Sequence, residues 1–202
     1  HVAPAKGNAH QNFTYCSKDG DFEEFGERPS AGKRSDLTAA LSLIKDGTSV
    51  LDMFELAPGP MCRYPKSMQL YRSEILKSTQ DRYSKVTVEV YVGPTGSGKT
   101  RSAYDNYPSL YSLSYHGGQL WFDGYSGEET LLIDNFDGEI KYKSFLRLLD
   151  GYCTQLQVKG GYTYKAWKRV IITSTHTPEQ WYPNIDSLSR LISHTNLMHL
   201  KK

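Results

Sequence analysis

The sequence lacks a long apolar run, an excess of one charge and a cysteine cluster. None of its apolar stretches reaches the ~20 residues of a membrane-spanning helix, and no signal peptide is recognisable. The net charge is only +2, so any nucleic-acid surface needs local clusters of basic residues. The three cysteines are far apart without metal-ligand spacing, which favours reduced thiols in an intracellular compartment.

The remaining composition is that of a globular protein, with one exception. Hydrophobic residues make up 38% and charged residues 23% of 202 positions, and this length predicts one large domain with a smaller appendage. The exception is tyrosine, with 15 copies, which can pack in a core or stack on bases. Because the chain opens on His1, we expect a fragment of a longer protein.

The first 80 residues carry loop and helix signals. Residues 1–34 are polar, punctuated by glycine and without a sustained apolar period, which is typical of loop-rich structure. Apolar residues at helical spacing then predict helices from Ser35 to Gly47, over residues 49–57 and over residues 65–78. We therefore expect a small helical unit over residues 35–80.

From Lys85 onward the pattern is typical of an α/β fold. Three apolar, β-branched runs at 86–92, 131–133 and 170–173 suit strands of a parallel sheet that is covered by helices on both faces. A helix is predicted over residues 142–149. Alternating residues on either side of Gly160-Gly161 predict a β-hairpin.

A glycine-rich segment between the first of these strands and a following helix matches the P-loop pattern completely. Glycines let the backbone N–H groups surround phosphates, and the helix amino terminus favours an anion. We expect Lys99 to contact the β- and γ-phosphates of ATP and the Thr100 hydroxyl to ligate Mg²⁺. The predicted cofactor-binding residues are Gly93, Pro94, Thr95, Gly96, Ser97, Gly98, Lys99 and Thr100.

The second strand ends in the acidic residue that such a site requires. Asp134 follows three aliphatic residues and is predicted to hold Mg²⁺ through its water shell. Asn135, next along the chain, can orient the attacking water but cannot take its proton. The general base stays open among nearby acids, namely Glu128, Glu129, Asp137 and Glu139.

Two further residues are candidates for contact with the γ-phosphate. The third strand runs into Thr175, and in P-loop ATPases the polar tip of such a strand senses the γ-phosphate. Arg190 is a candidate for an arginine finger supplied to a neighbouring subunit. A surface arginine on a helix explains Arg190 equally well.

Four longer strings identify a family resemblance. FTYCSKDG at 13–20, GKRSDL at 32–37, WFDGY at 121–125 and ITSTHTPEQWY at 172–182 are similar to circovirus-type replication-associated (Rep) proteins. Members of that family join a rolling-circle endonuclease to a superfamily 3 helicase. The resemblance covers nearly the whole chain.

The resemblance implies an organisation in three parts. Residues 1–27 would be the remnant of an α+β endonuclease domain, 28–80 a linker and helical oligomerisation domain, and 81–202 an AAA+-like P-loop ATPase core. The implied activity is ATP-dependent 3′→5′ unwinding of DNA by a hexameric ring of identical chains on single-stranded DNA. The implied location is the host nucleus.

The resemblance also assigns residues outside the phosphate site. Tyr15 and Lys18 correspond to the family's Tyr-x-x-Lys motif, whose tyrosine attacks the origin phosphodiester with Mg²⁺ or Mn²⁺ and becomes linked to the 5′ phosphate. The metal-binding histidines of that reaction are expected upstream of His1. On the hairpin, Lys159, Tyr162 and Lys165 are the predicted DNA contacts, although an ordinary exposed hairpin with solubilising lysines has the same pattern.

Two departures from the family pattern keep alternatives open. Asn135 stands where a second acidic residue is usual, and Thr175 stands where an asparagine is usual. Both favour an alternative function, a nucleotide-binding assembly protein with weak or lost hydrolysis. A further alternative, a P-loop kinase acting on a small nucleotide, is disfavoured. Such a kinase needs an arginine-rich lid, and Arg190 is the only arginine after Arg169.

Overall fold

The fold divides into two units along the chain. A computed structural model describes residues 7–26, 34–116, 119–183 and 195–199. One compact unit spans His1–Arg63 and a second spans Tyr64–Lys202. The nucleotide-site and hairpin residues predicted from the sequence all belong to the second unit, whereas Tyr15 and Lys18 belong to the first.

The first unit is helical. Its helices are α1 (Ala9–Cys16), α2 (Ser35–Lys45), α3 (Val50–Leu56) and α4 (Pro58–Arg63). Helix α2 buries Ala40 and Ile44, as the apolar spacing predicts. Gly47 follows it with φ 77°, a left-handed conformation that glycine adopts without strain.

The segment Pro58-Gly59-Pro60 follows the end of one helix, as predicted, and also begins the next. The sequence predicts a break there, since proline cannot continue a helix from within. In the structure α3 ends at Leu56 and Pro58 is the first residue of α4. The first turn has no intrahelical use for its N–H groups, so both prolines are tolerated.

The second unit is mixed α/β. In chain order its elements are α5 (Pro65–Ser78), β1 (Thr87–Val92), α6 (Lys99–Asn106), β2 (Tyr111–Ser112), β3 (Ser114–His116), β4 (Gln119–Trp121), β5 (Thr130–Ile133), α7 (Tyr142–Leu149), β6 (Gln155–Val158), β7 (Gly161–Tyr164), β8 (Arg169–Ser174), α8 (Pro178–Trp181) and β9 (Thr195–His199). None of the helices within the described ranges is long and apolar enough to cross a lipid bilayer.

A five-stranded sheet in the order β2-β5-β8-β1-β9 organises this unit. All its pairings are parallel, which confirms the predicted parallel α/β arrangement. After β1 the chain moves to the far edge, returns through β5 and β8, and then passes β1 to reach β9. Ligands of open α/β sheets bind at the carboxyl ends of strands beside such a reversal, here between β1 and β8.

One face of the sheet carries the main core. Val90, Ile133 and Ile172 pack there with aromatic side chains. Phe136 stacks on Phe145 of α7 with ring centroids 4.7 Å apart, and both rings are fully buried. Burial of each such side chain stabilises the fold by about 1.5–3 kcal/mol. This packing fixes the loop that follows β5.

Helix α6 covers the opposite face. Ala103, with no exposed surface, packs against Tyr91, Leu132 and Ile171 from three neighbouring strands. The small alanine lets the helix approach the sheet closely. The start of α6, at Lys99, is thereby held over the carboxyl ends of the strands.

Helix α5 packs within the second unit. We predicted a helical unit reaching residue 80, but α5 contacts β7 of the hairpin. The buried Ser73 hydroxyl shares its single proton between the carbonyls of Gln69 and Tyr162, each at 2.9 Å. The hairpin predicted around Gly160-Gly161 is therefore braced by a helix.

Candidate functional site

The segment between β1 and α6 is a glycine-bearing loop at the edge of a pocket. Gly96 and Gly98 have φ 80° and 85°, conformations that L side chains rarely adopt. Gly98 is also the amino-terminal cap of α6. The loop edges a pocket of about 250 Å³, lined by Thr95, Gly96, Gly98, Lys99, Thr100, Arg101, Asn135 and Thr173.

Lys99 is held inside this loop. The residue is only 8% exposed, and its ammonium donates to the carbonyls of Gly93 at 2.7 Å and Pro94 at 2.9 Å. An ammonium has three donors, so one remains for another acceptor. The side chain that we predicted to bind phosphates thus lies at the pocket.

The fit of a triphosphate can be tested on Ser97. Its Oγ is buried and has no hydrogen-bond partner within the described part of the chain. A buried hydroxyl without a partner costs about 1–3 kcal/mol, and a phosphate oxygen is an acceptor that would satisfy it. The donors at this loop, a lysine, a serine and backbone N–H groups at a helix start, fit an anion.

Asp134 is the centre of the polar contacts beside the loop. Its Oδ1 accepts hydrogen bonds from the Thr100 hydroxyl at 2.7 Å and from the Thr173 hydroxyl at 2.6 Å. These contacts tie two strands to α6, since Asp134 follows β5, Thr173 lies in β8 and Thr100 lies in the first turn of α6. Hydroxyl and carboxylate oxygens are ligands that Mg²⁺ accepts, so the set fits the predicted metal.

Thr173, rather than Thr175, reaches this cluster. Thr173 is 1% exposed and lines the pocket, whereas Thr175 lies beyond the end of β8 and pairs with the ring of His176 at 3.2 Å. Sequence reasoning placed the polar tip at the last hydroxyl of the run. The alternation of side chains along a strand could have identified Thr173, because Ile171 and Thr173 lie on the face of the sheet that α6 covers.

Asn135 has an unusual backbone. Among the described residues it is the one position other than glycine with positive φ, at 51°, and asparagine tolerates this region better than most residues. Its N–H donates to the Thr173 hydroxyl at 2.8 Å. Thr173 therefore accepts from Asn135 and donates to Asp134, which orders both residues that follow β5.

The topology separates the candidate general bases. Glu128 and Glu129 precede β5 and so lie at the opposite end of the parallel sheet from the P-loop. Glu129 there forms an ion pair with Lys168 at 3.1 Å. Asp137 and Glu139 follow β5 at the P-loop end, and both are exposed. These two carboxylates remain as candidates.

Tyr115 is a contact that sequence reasoning missed. Its hydroxyl donates to the backbone carbonyl of Asp134 at 3.1 Å, and its ring packs edge-on against Phe136. Burial, reinforced by the charges of Glu139 and Asp137, raises the pKa of Tyr115 to about 12, so it stays a donor at neutral pH. No sequence motif identifies this residue, because its hydrogen-bond partner lies 19 positions away.

The predicted nicking residues lie together on the first unit. Tyr15, in the last turn of α1, is 74% exposed, and the Lys18 ammonium lies 5.4 Å from its ring centroid. Within residues 7–26, 34–116 and 119–183, His, Cys, Asp and Glu side chains form no cluster of three or more that could hold a metal ion.

Two of the predicted DNA contacts are accessible on the hairpin. Lys159 is exposed at the turn between β6 and β7, where its N–H donates to the Asp123 carboxylate at 2.7 Å. Tyr162 is half-buried and donates its hydroxyl to Glu74 at 2.9 Å. That hydrogen bond raises the pKa of Tyr162.

Lys165 corrects the third predicted contact. We expected it to face solvent, but it is 4% exposed and its ammonium donates to the carbonyls of Arg147 and Asp150 at the end of α7. Burial lowers the pKa of Lys165 to about 8. Its charge satisfies helix carbonyls and is not offered to a DNA phosphate. Arg190, the predicted arginine finger, lies outside the described residues.

Comparison with known proteins identifies the relatives. The chain is 36% identical to the replication-associated protein of Human associated cyclovirus 1 over 179 residues, covering 86% of the chain and 64% of the relative. It is 35% identical to that of Porcine circovirus 2 and 34% identical to that of Porcine circovirus 1. Each of these two matches covers 96% of the chain, and 63% and 64% of the relatives, respectively.

The chain is a homologue of the circovirus-type replication-associated proteins. The resemblance drawn from its motifs is therefore confirmed. The chain spans slightly less than two thirds of the length of these relatives. No family model matches the sequence. Among solved structures, the apo NrS-1 C-terminal region aligns with 86% of the chain and 39% of its own length at 10% identity and a TM-score of 0.37, which is too loose to assign a fold.

Proposed function

We propose that this chain is the ATP-dependent DNA helicase module of a viral rolling-circle replication initiator, with a P-loop NTPase fold of the superfamily 3 type. The observation that carries the proposal is the Asp134 carboxylate, which binds the hydroxyls of Thr100 and Thr173 beside the P-loop. Carboxylate and hydroxyl ligands next to a phosphate cradle match the metal site of a P-loop NTPase.

Each residue then has a definite role in nucleotide binding. The loop N–H groups, the Ser97 hydroxyl and Lys99 would bind the phosphates, and Thr100 with Asp134 would hold Mg²⁺. When bound, Mg²⁺ would neutralise charge on the transferred phosphoryl group. Thr173 fixes Asp134 and Asn135, and Asn135 can orient a water molecule. Asp137 and Glu139 are the carboxylates available to take its proton.

The relatives support the biological side of the proposal. They are named replication-associated proteins of circoviruses and a cyclovirus, and the motif resemblance implies single-stranded DNA as track, a hexameric ring of identical chains and a location in the host nucleus. The Tyr15 hydroxyl would be the nicking nucleophile of the longer protein, with Lys18 beside it. The exposure of Tyr15 makes it reachable by a DNA phosphate.

Lys99→Ala tests the phosphate site. The variant removes the one lysine of the loop, so Mg²⁺-dependent ATP turnover should fall to background. Lys143→Ala, at an exposed position of α7, is the matched control and should turn over ATP like the wild-type chain. Thermal unfolding of both variants separates lost chemistry from lost folding. Unchanged turnover in Lys99→Ala would remove the loop from the reaction.

A second candidate function is a nucleotide-binding assembly protein with weak or lost hydrolysis. Asn135 favours it, because its amide side chain cannot accept a proton from the attacking water. Binding of a fluorescent ATP analogue without measurable phosphate release, with and without single-stranded DNA, would favour this candidate over the helicase.

A further inference from the structure

A second concave surface lies on the hairpin, apart from the P-loop. It is an open depression that borders about 600 Å³ of space. None of its lining residues belongs to the nucleotide pocket. The side chains that define it, here called the Trp121 groove, are Trp121, Gln155, Gln157, Lys159 and Tyr162.

The fold presents these side chains on one surface. Strand β6 alternates, with Gln155 and Gln157 exposed and the residues that follow each of them buried. Gln157 pairs with Tyr162 on β7. On its other side the carbonyl of Gln157 accepts a hydrogen bond from the N–H of Phe122, at 3.1 Å. The two amides are thus flanked by a tyrosine and by Trp121.

The chemistry of the groove suits an unpaired nucleobase. The half-buried indole of Trp121 offers a flat face for stacking, and the glutamine amides can both donate to and accept from the edge of any base. Lys159 supplies a cation at the turn. The carboxylates next to it accept hydrogen bonds from the hairpin: Asp123 accepts one from the N–H of Lys159, and Glu74 accepts one from the Tyr162 hydroxyl.

We propose that the Trp121 groove binds a nucleobase of single-stranded DNA, with Trp121 stacking on the base and Lys159 neutralising the adjoining phosphate. The proposal rests on the proposed function for the nature of the strand. It adds a site that reads the π-face of a base, which is common to all four bases, so binding should tolerate sequence changes.

Tryptophan fluorescence tests the proposal directly. Of the three tryptophans, Trp167 and Trp181 are 2% and 4% exposed. A change in emission caused by a base stacking on an indole would therefore come from Trp121. Titrating the full chain with oligo-dT in the absence of ATP should quench the emission saturably. In Trp121→Phe the quenching should disappear. A matched duplex, whose bases are already stacked, should quench little.

Affinities for a labelled oligonucleotide separate stacking from charge. Trp121→Ala should weaken binding by about 5- to 150-fold, the loss expected for one stacked base, with an unchanged salt slope. Lys159→Ala should lower the salt slope by about one. Gln155→Ala with Gln157→Ala changes exposed positions only and should weaken binding without unfolding, which keeps the test valid if Trp121→Ala is unstable.

The outcomes distinguish this site from the motor. Wild-type quenching that persists in Trp121→Phe, or equal affinities of the wild type and the glutamine variant, would overturn the groove. Quenching by oligo-dT in a chain that never releases phosphate from ATP would leave the groove standing and remove the helicase. If Trp121→Ala binds DNA as tightly as the wild type and DNA stimulates its ATP turnover as strongly, the groove is ruled out and the helicase assignment stands.

Discussion

At the scale of single residues, the hydroxyl of Thr173 connects the parts of the proposed nucleotide site. It donates to Asp134 and accepts from the N–H of Asn135. Replacing it removes a hydrogen bond to a carboxylate and leaves a backbone donor without its partner. Such bonds to charged groups contribute about 1.5–3 kcal/mol.

We predict that Thr173→Val lowers Mg²⁺-dependent ATP turnover by about 10- to 150-fold, the rate equivalent of that bond. Valine has nearly the same shape as threonine, so the buried position should stay filled. Steady-state phosphate release measures the effect. Thr175→Val is the comparison, since the exposed Thr175 lies outside the pocket; a larger loss in Thr175→Val than in Thr173→Val would contradict the site.

The sequence predicts most of this site but not the contacts between residues that are far apart in sequence. The P-loop, Lys99, Thr100 and Asp134 follow from local patterns, since each lies at a strand end or a helix start. Thr173 acts through a partner that the parallel pairing of β5 and β8 brings near. Tyr115, in the antiparallel pair of β3 and β4, acts through a partner 19 positions away along the chain. Lys165 was misplaced because an exposed lysine and a lysine that caps a distant helix look alike in sequence.

At the scale of elements, Lys165 links the hairpin to α7. Burial lowers its pKa in the folded chain to about 8, whereas an unfolded lysine titrates at about 10.4. Between these pH values the unfolded chain binds more protons, so the free energy of unfolding rises with pH through this window. Below pH 8 both states are protonated and the contribution is constant.

We predict that Lys165→Met removes this pH dependence. From pH 7 to pH 10, the wild-type unfolding free energy should gain up to about 3 kcal/mol relative to the variant. Urea unfolding at each pH measures it. Lys168→Met is the control, because the Lys168 side chain is 58% exposed. Parallel profiles for the wild type and Lys165→Met would contradict the burial of Lys165.

The loop after β5 depends on Gly138. Its φ is 103°, and a Cβ there would overlap the carbonyl oxygen of Trp181 in α8. We predict that Gly138→Ala destabilises the fold by clearly more than Gly124→Ala. Gly124 has φ 81° with no neighbouring atom within 4 Å, so it bears only the backbone strain of about 1–2 kcal/mol. Equal unfolding midpoints for the two variants would contradict this packing.

Element prediction succeeded where patterns are long and failed where they are short. The central strands and α7 lie where apolar runs place them. Strand β2 has two residues and β3 and β4 three each, too few to show a period. The helix α4 was missed because a proline can end one helix or begin the next, and the sequence alone does not distinguish these positions.

At the scale of the whole molecule, the proposed nucleotide site and the proposed nucleic-acid surface occupy one α/β unit. The P-loop lies at the carboxyl ends of β1, β5 and β8, and the hairpin lies beside β4. Lys159 contacts Asp123, and Tyr115 of the neighbouring β3 contacts Asp134. A DNA motor needs both sites, because hydrolysis must respond to the strand.

The ratio of ATP turnover with and without single-stranded DNA tests this account most directly. With Mg²⁺ and saturating ATP, we predict that oligo-dT raises the turnover of the wild-type chain, and that Lys99→Ala shows no turnover in either condition. A wild-type chain that binds ATP but releases phosphate at the same rate with and without oligo-dT would contradict the assignment as a DNA helicase module.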